Sequence, residues 1–136
     1  MNAKRILIVD DDALMRAINQ RLLEENGFEV AVALDGPTAL RMIPTFRPDL
    51  VLLDVIMPNV NGYRIARMIK TLVAHAHIRV PKIILLTGRR MNSIRSQDLL
   101  EFSKADRMMF KPYNPVILIS TIESVLAGEK PHLTTA

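Results

Sequence analysis

Three uninterrupted apolar runs, residues 6–9 (ILIV), 50–53 (LVLL) and 83–86 (IILL), constrain this chain more than any other feature. A strand with aliphatic side chains on both faces has to be covered on both faces, which is the condition of a parallel sheet with helices on either side. Between the runs the spacing turns helical. Leu14, Ala17, Ile18 and Leu22 form one stripe, ended by Asn26-Gly27; Asp35-Gly36-Pro37 opens a second helix, which Pro44 is expected to cut short or kink. Asn61 caps a third, with Ile65, Met68, Ile69, Leu72, Val73 and Ala76 facing inward. Met91, Ile94, Leu99 and Phe102 keep the phase of a fourth helix, broken by Arg95 and Asp98, so this is expected to be the least firmly packed. Asn114-Pro115 starts the last helix, which buries Leu118, Ile119, Ile122, Val125 and Leu126 and ends at Gly128.

Two weaker strands complete the pattern: residues 28–33 alternate, with Phe28, Val30 and Val32 on one face, and residues 108–110 are short. Five strands alternating with five helices predict an α/β fold, a doubly wound parallel sheet of the flavodoxin-like (βα)5 kind. Placing the all-apolar strands in the centre gives the order 2-1-3-4-5, with the second and fifth at the edges.

The 136 residues, 49% of them hydrophobic, suffice for one core, read as a single domain over residues 1–128 followed by a flexible tail, 129–136. No run approaches the roughly 20 apolar residues of a membrane span, and the start has no long apolar segment with a cleavage site, so a cytoplasmic protein without membrane insertion is expected. Without cysteine there is no disulfide, thiolate metal site or thiol nucleophile. The net charge of +4 is spread over Arg16, Arg21, Arg41, Arg64, Arg67 and Lys70 and thickens from Arg89 to Lys111. With no series of aromatic residues for stacking, it reads as a solvated surface in preference to a nucleic-acid footprint.

In sheets of this topology, sites form outside the carboxyl ends of the strands. There the chain supplies Asp10 and Asp11 after the first strand, Asp54 at the end of the third, Thr87 after the fourth and Lys111 after the fifth. A lone aspartate at a strand end reads as a cap, a role that suits Asp12. Three carboxylates, a hydroxyl and an ammonium at matching ends point instead to a built site. Carboxylate oxygens suit Mg²⁺ or Mn²⁺, which would offset the repulsion among Asp10, Asp11 and Asp54.

The ordered set "ILIVDD", "LVLLDVIMPNVNG", "IILLTG" and "FKPY" resembles the receiver domain of two-component response regulators, over about residues 4–127. The resemblance implies that Asp54 accepts a phosphoryl group. Asp10, Asp11, Asp54 and the backbone carbonyl of Ile56 would hold Mg²⁺, and Thr87 and Lys111 would contact the phosphoryl oxygens. The implied donor is a phosphohistidine on a sensor histidine kinase or a histidine phosphotransfer protein. The chain is then a phosphorylation-controlled switch in a phosphorelay and not an enzyme in its own right. Its output would leave through protein contacts on the surface of the fourth helix, fifth strand and fifth helix.

The match loosens at Met108, where the family usually carries an aromatic residue whose swing reports phosphorylation; a thioether fills space but has no ring to flip. Ile56 and Arg89 occupy the positions near which a hydrolytic water would approach, and neither orients water well, which points to a comparatively long-lived acyl phosphate. The expected partner face carries Arg89, Arg90, Arg95, Lys104 and Arg107 around Met91 and Met108, suited to an acidic partner or to a second copy of the chain. The alternative is an interaction module of the same fold that binds its unknown target without phosphorylation. His75 and His77 lack the spacing of a zinc pair and read as surface residues.

Overall fold

Each strand of this protein is placed by what its two neighbours cover. The computed structural model describes residues 3–57, 60–88, 93–129 and 132–134. β1 (Arg5–Val9), β2 (Glu29–Ala33), β3 (Leu50–Asp54), β4 (Lys82–Thr87), β5 (Arg107–Phe110) and β6 (His132–Thr134) form one parallel sheet in the order 2-1-3-4-5-6. The first five strands follow the expected order. Residues 132–134, inside the stretch read as a tail, pair with β5, so β5 is not an edge; an exposed row of unpaired backbone groups there finds a partner. A two-residue ribbon, Ile56–Met57 against Val60–Asn61, follows β3.

Alternation along the buried strands divides the core. Ile6, Ile8, Leu50, Leu52, Ile84, Leu86 and Met109 face α1 (Ala13–Glu25) and α5 (Pro115–Leu126). Leu7, Val9, Val51, Leu53, Ile83, Leu85, Met108 and Phe110 face α2 (Gly36–Phe46), α3 (Gly62–His75) and α4 (Ser93–Ser103). Among the described residues, four helices begin on a side-chain cap: the carboxylates of Asp12 and Asp35 and the carbonyl oxygens of Asn61 and Asn114 accept from the first-turn N–H groups. Gly27, with φ of 89°, turns the chain out of α1. Pro44 does not stop α2, which runs on to Phe46 because so late a proline leaves only the last turn to continue.

The phase of α1 differs from the expected stripe. Leu14 is 68% exposed and Ala17 and Ile18 also face out, while Asn19 and Leu23 are the buried residues. In α3, Met68 and Leu72 are exposed, and Tyr63 and Ala66 take the interior with Ile65, Ile69 and Val73. In both helices the buried strip is rotated from the one that apolar spacing predicts. Of the described side chains of α4, those buried are Leu100 and two serines, Ser96 and Ser103, as expected of its interrupted stripe.

Gly62 sets the distance between α3 and the segment after Asp54. A Cβ there would lie 2.6 Å from Val55 Cα and 3.1 Å from the carbonyl oxygens of Asp54 and Val55, all backbone atoms that cannot swing aside. Gly62→Ala is therefore expected to lower stability by about 1–3 kcal/mol, read as a lower urea midpoint with an unchanged slope.

Candidate functional site

The register brings the carboxyl ends of the strands to one level. Val9 stands opposite Ala33 and Leu53, Asp54 opposite Leu86, and Thr87 opposite Phe110. Backbone bonds continue one residue past the strands: Asp10 N–H donates to Ala33 O (3.1 Å), Val55 N–H to Leu86 O (2.9 Å) and Lys111 N–H to Thr87 O (2.7 Å). The residues leaving the sheet are thus fixed at the rim before their side chains make any contact.

Asp10, Asp11 and Asp54 each place a carboxylate oxygen within 4.8 Å of the others. Asp10 (2% exposed) and Asp54 (4%) are buried, and Asp11 is exposed, so the group opens to solvent on one side. Lys111 Nζ lies 3.2 Å from Asp54 Oδ1, which also accepts from the Ile56 N–H at 3.1 Å. Asp10 Oδ1 accepts from the Asp12 N–H (2.9 Å), and Arg16 Nη1 donates to the Asp10 carbonyl at 2.9 Å. Asp12 is turned away to cap α1, accepting from Leu14 and Met15 at 3.0 and 3.3 Å.

Burial pushes the Asp10 carboxyl up from its ordinary 3.8 to about 6; the Asp12 N–H and Lys111 work against this rise, and Asp54 adds to it. Three hard oxygens, two of them poorly solvated and facing one another, form a donor set that fits Mg²⁺ or Mn²⁺. Like charges this close are what a dication in the same place would neutralise.

Thr87 is buried at the end of β4. Facing it is Tyr63, in the first turn of α3: burial pushes its phenol up, and the Thr87 side chain opposes that rise. Tyr63 was not singled out from the sequence, and its place directly after Gly62, where α3 meets β3, was the available signal. Ile56 extends its side chain over the rim, 61% exposed. Met108 lies in the core beneath α3 and α4. Arg107 is buried as well, on the face of β5 that it shares with Met109, its guanidinium 3.7 Å from Glu129. The expected basic face therefore loses both residues to the interior. Arg95 and Lys104 remain exposed, and Arg89, Arg90 and Met91 lie outside the described residues. His75 and His77 are exposed.

The raised Asp10 group fixes the sign of a pH dependence. Between pH 3.8 and about 6 the folded chain holds a proton that the unfolded chain has released, so this contribution to stability falls as pH rises through that window and is level above it. In metal-free buffer at pH 7–8, Asp10→Asn is expected to be more stable than the parent by on the order of 2 kcal/mol, an advantage that shrinks as pH falls toward 4. Thermal melts of the pair across that range measure it.

Residues 6–123 match the response regulator receiver domain. Response regulator PleD of Caulobacter vibrioides is 39% identical over 122 residues, covering 89% of this chain and 26% of that protein. DNA-binding response regulator MtrA of Mycobacterium tuberculosis is 37% identical over 123 residues, 90% of this chain and 50% of that protein. The chain spans about a quarter to a half of the length of these relatives. Among solved structures, a CheY-like response regulator receiver domain protein from Methanospirillum hungatei superposes with a TM-score of 0.80 at 28% identity, over 93% of this chain and 95% of that one. Chemotaxis protein CheY4 of Vibrio cholerae gives 0.79 at 27% identity, over 91% and 99%. With this fold and an acidic pocket of Asp10, Asp11 and Asp54 at the rim of its sheet, the chain belongs to the response regulator receiver domain family.

Proposed function

We propose that this chain is a phosphoryl-accepting signalling switch in which Asp54 takes a phosphoryl group from a phosphohistidine on a sensor histidine kinase or a histidine phosphotransfer protein. The observation that carries the reading is Asp54 itself: a buried carboxylate at a strand end, flanked by two further carboxylates and by the Lys111 ammonium at 3.2 Å. In the transfer, a carboxylate oxygen of Asp54 bonds to phosphorus as the bond from phosphorus to the donor imidazole breaks, and the imidazole leaves with the electron pair. Asp54 needs no general base, because it reacts as the carboxylate. Lys111 meets the charge that builds on the phosphoryl oxygens, and the Thr87 hydroxyl stands at the same rim. Mg²⁺ held by Asp10, Asp11, Asp54 and the Ile56 carbonyl would supply the remaining neutralisation and align the donor.

Exposed apolar side chains around this mouth, Leu14, Ile18, Leu34 and Ile56, favour a protein donor over a small molecule, since they offer contact area next to the acceptor. Output would leave by the α4, β5 and α5 side of the sheet, where the exposed Arg95 and Lys104 suit an acidic partner or a second copy of the chain.

Incubation with acetyl phosphate, followed by intact mass, tests the reading. The parent is expected to gain one phosphoryl group only when Mg²⁺ is present, and Asp54→Asn to gain none. No gain, together with no Mg²⁺ binding, would transfer the case to a phosphorylation-independent interaction module. With the aliphatic Ile56 two residues after the acceptor offering no group to orient a water, the purified phosphoprotein is expected to decay over minutes or longer in Mg²⁺ buffer; decay within seconds contradicts that expectation.

A further inference from the structure

The sequence phase of α1 would bury Ile18, but the helix instead buries Asn19, only 2% exposed, and leaves Ile18 about half exposed. A carboxamide in an apolar interior is costly unless it is hydrogen-bonded. Asn19 has its partner in Tyr113: Nδ2 donates to the phenol oxygen at 2.9 Å, and the phenol lies 3.3 Å from Oδ1.

Tyr113 belongs to the loop between β5 and α5 that begins with Lys111. The loop is anchored at its start by the Lys111 N–H on Thr87 O and at its end by Asn114, which caps α5. Between those anchors the Asn19–Tyr113 contact ties it to α1. The phenol lines one groove with Lys111. Burial and the bond to Asn19 dominate its electrostatics, and Lys111, Asp10 and Asp54 act on it in turn. Met15, Ile18, Leu22 and Pro112 wall a groove of about 510 Å³ that has Asn19, Tyr113 and Lys111 in its lining.

From this arrangement we infer that Asn19 and Tyr113 are positioning residues for phosphoryl acceptance: their hydrogen-bonded contact holds the loop so that the Lys111 ammonium stays beside Asp54. The inference rests on the reading of Asp54 as the acceptor. Neither residue touches the reacting atoms. Their effect passes through Lys111, which would meet phosphoryl oxygens and not the metal.

That division makes the test. Mg²⁺ affinity, and beryllofluoride affinity at saturating Mg²⁺, are measured for the parent, Tyr113→Phe, Asn19→Leu and the double variant, with beryllofluoride as the phosphoryl mimic. Tyr113→Phe is expected to lose roughly 5–10-fold in beryllofluoride affinity, the worth of about one hydrogen bond, with Mg²⁺ affinity unchanged. The double variant leaves no unpaired polar group in the interior, so its melting temperature should recover relative to the single variants while the beryllofluoride affinity stays low. In a Lys111→Gln background the same substitutions should have no further effect. Unchanged beryllofluoride affinity in Tyr113→Phe overturns the role, as does a parallel fall of Mg²⁺ affinity and melting temperature, which marks a merely structural contact. A parent that binds no beryllofluoride at all, with Mg²⁺ present, overturns the acceptor reading and the role with it.

Discussion

A parallel hydrogen-bond ladder sealed between two layers of helices governs everything else in this molecule. Inside such a sheet, every backbone N–H and C=O of β1, β3 and β4 has to find its partner on a neighbouring strand, because no water reaches it. Slipping one strand by a residue would send its aliphatic side chains to the wrong helical layer and break that pairing at once. The register is therefore rigid. With it, the level at which Asp10, Asp54, Thr87 and Lys111 leave the sheet is rigid too.

That rigidity is used against electrostatics. Asp10 and Asp54 are kept nearly dry and close together, an arrangement that raises the Asp10 carboxyl and that two mobile side chains would relax by moving apart. Among the described residues, Lys111 and a few N–H groups oppose the repulsion among the charges, and the pocket stays open on its Asp11 side. Gly62 contributes from the other direction by letting α3 press against the backbone just after Asp54.

Much of this was legible in the linear chain because the signals were local. Continuous aliphatic runs mark strands covered twice, Asx residues before helical stripes mark helix starts, and polar residues directly after strands have nowhere to go but the rim. The acidic trio and the strand order needed no more than that. What escaped was rotational. α1 carries more apolar residues than its contact strip uses, so spacing alone put Leu14 and Ile18 inside and passed over Asn19. Arg107 and Met108 were read as surface because a short strand near the end of the chain looked like an edge, and its covering strand is only three residues long.

The sequence by itself determined the alternation of strands and helices, the central place of the three aliphatic strands, and which residues stand at their carboxyl ends. Those follow from periodicity and from the rule that buried backbone must be paired. Only the tertiary structure decided which face of each helix turns inward, that Tyr63 faces Thr87, and that Asn19 on α1 holds Tyr113 across 94 positions of chain. Contacts of that kind depend on the angle and depth at which a helix settles on the sheet. Those are set by the summed packing of many side chains, and no local pattern records them.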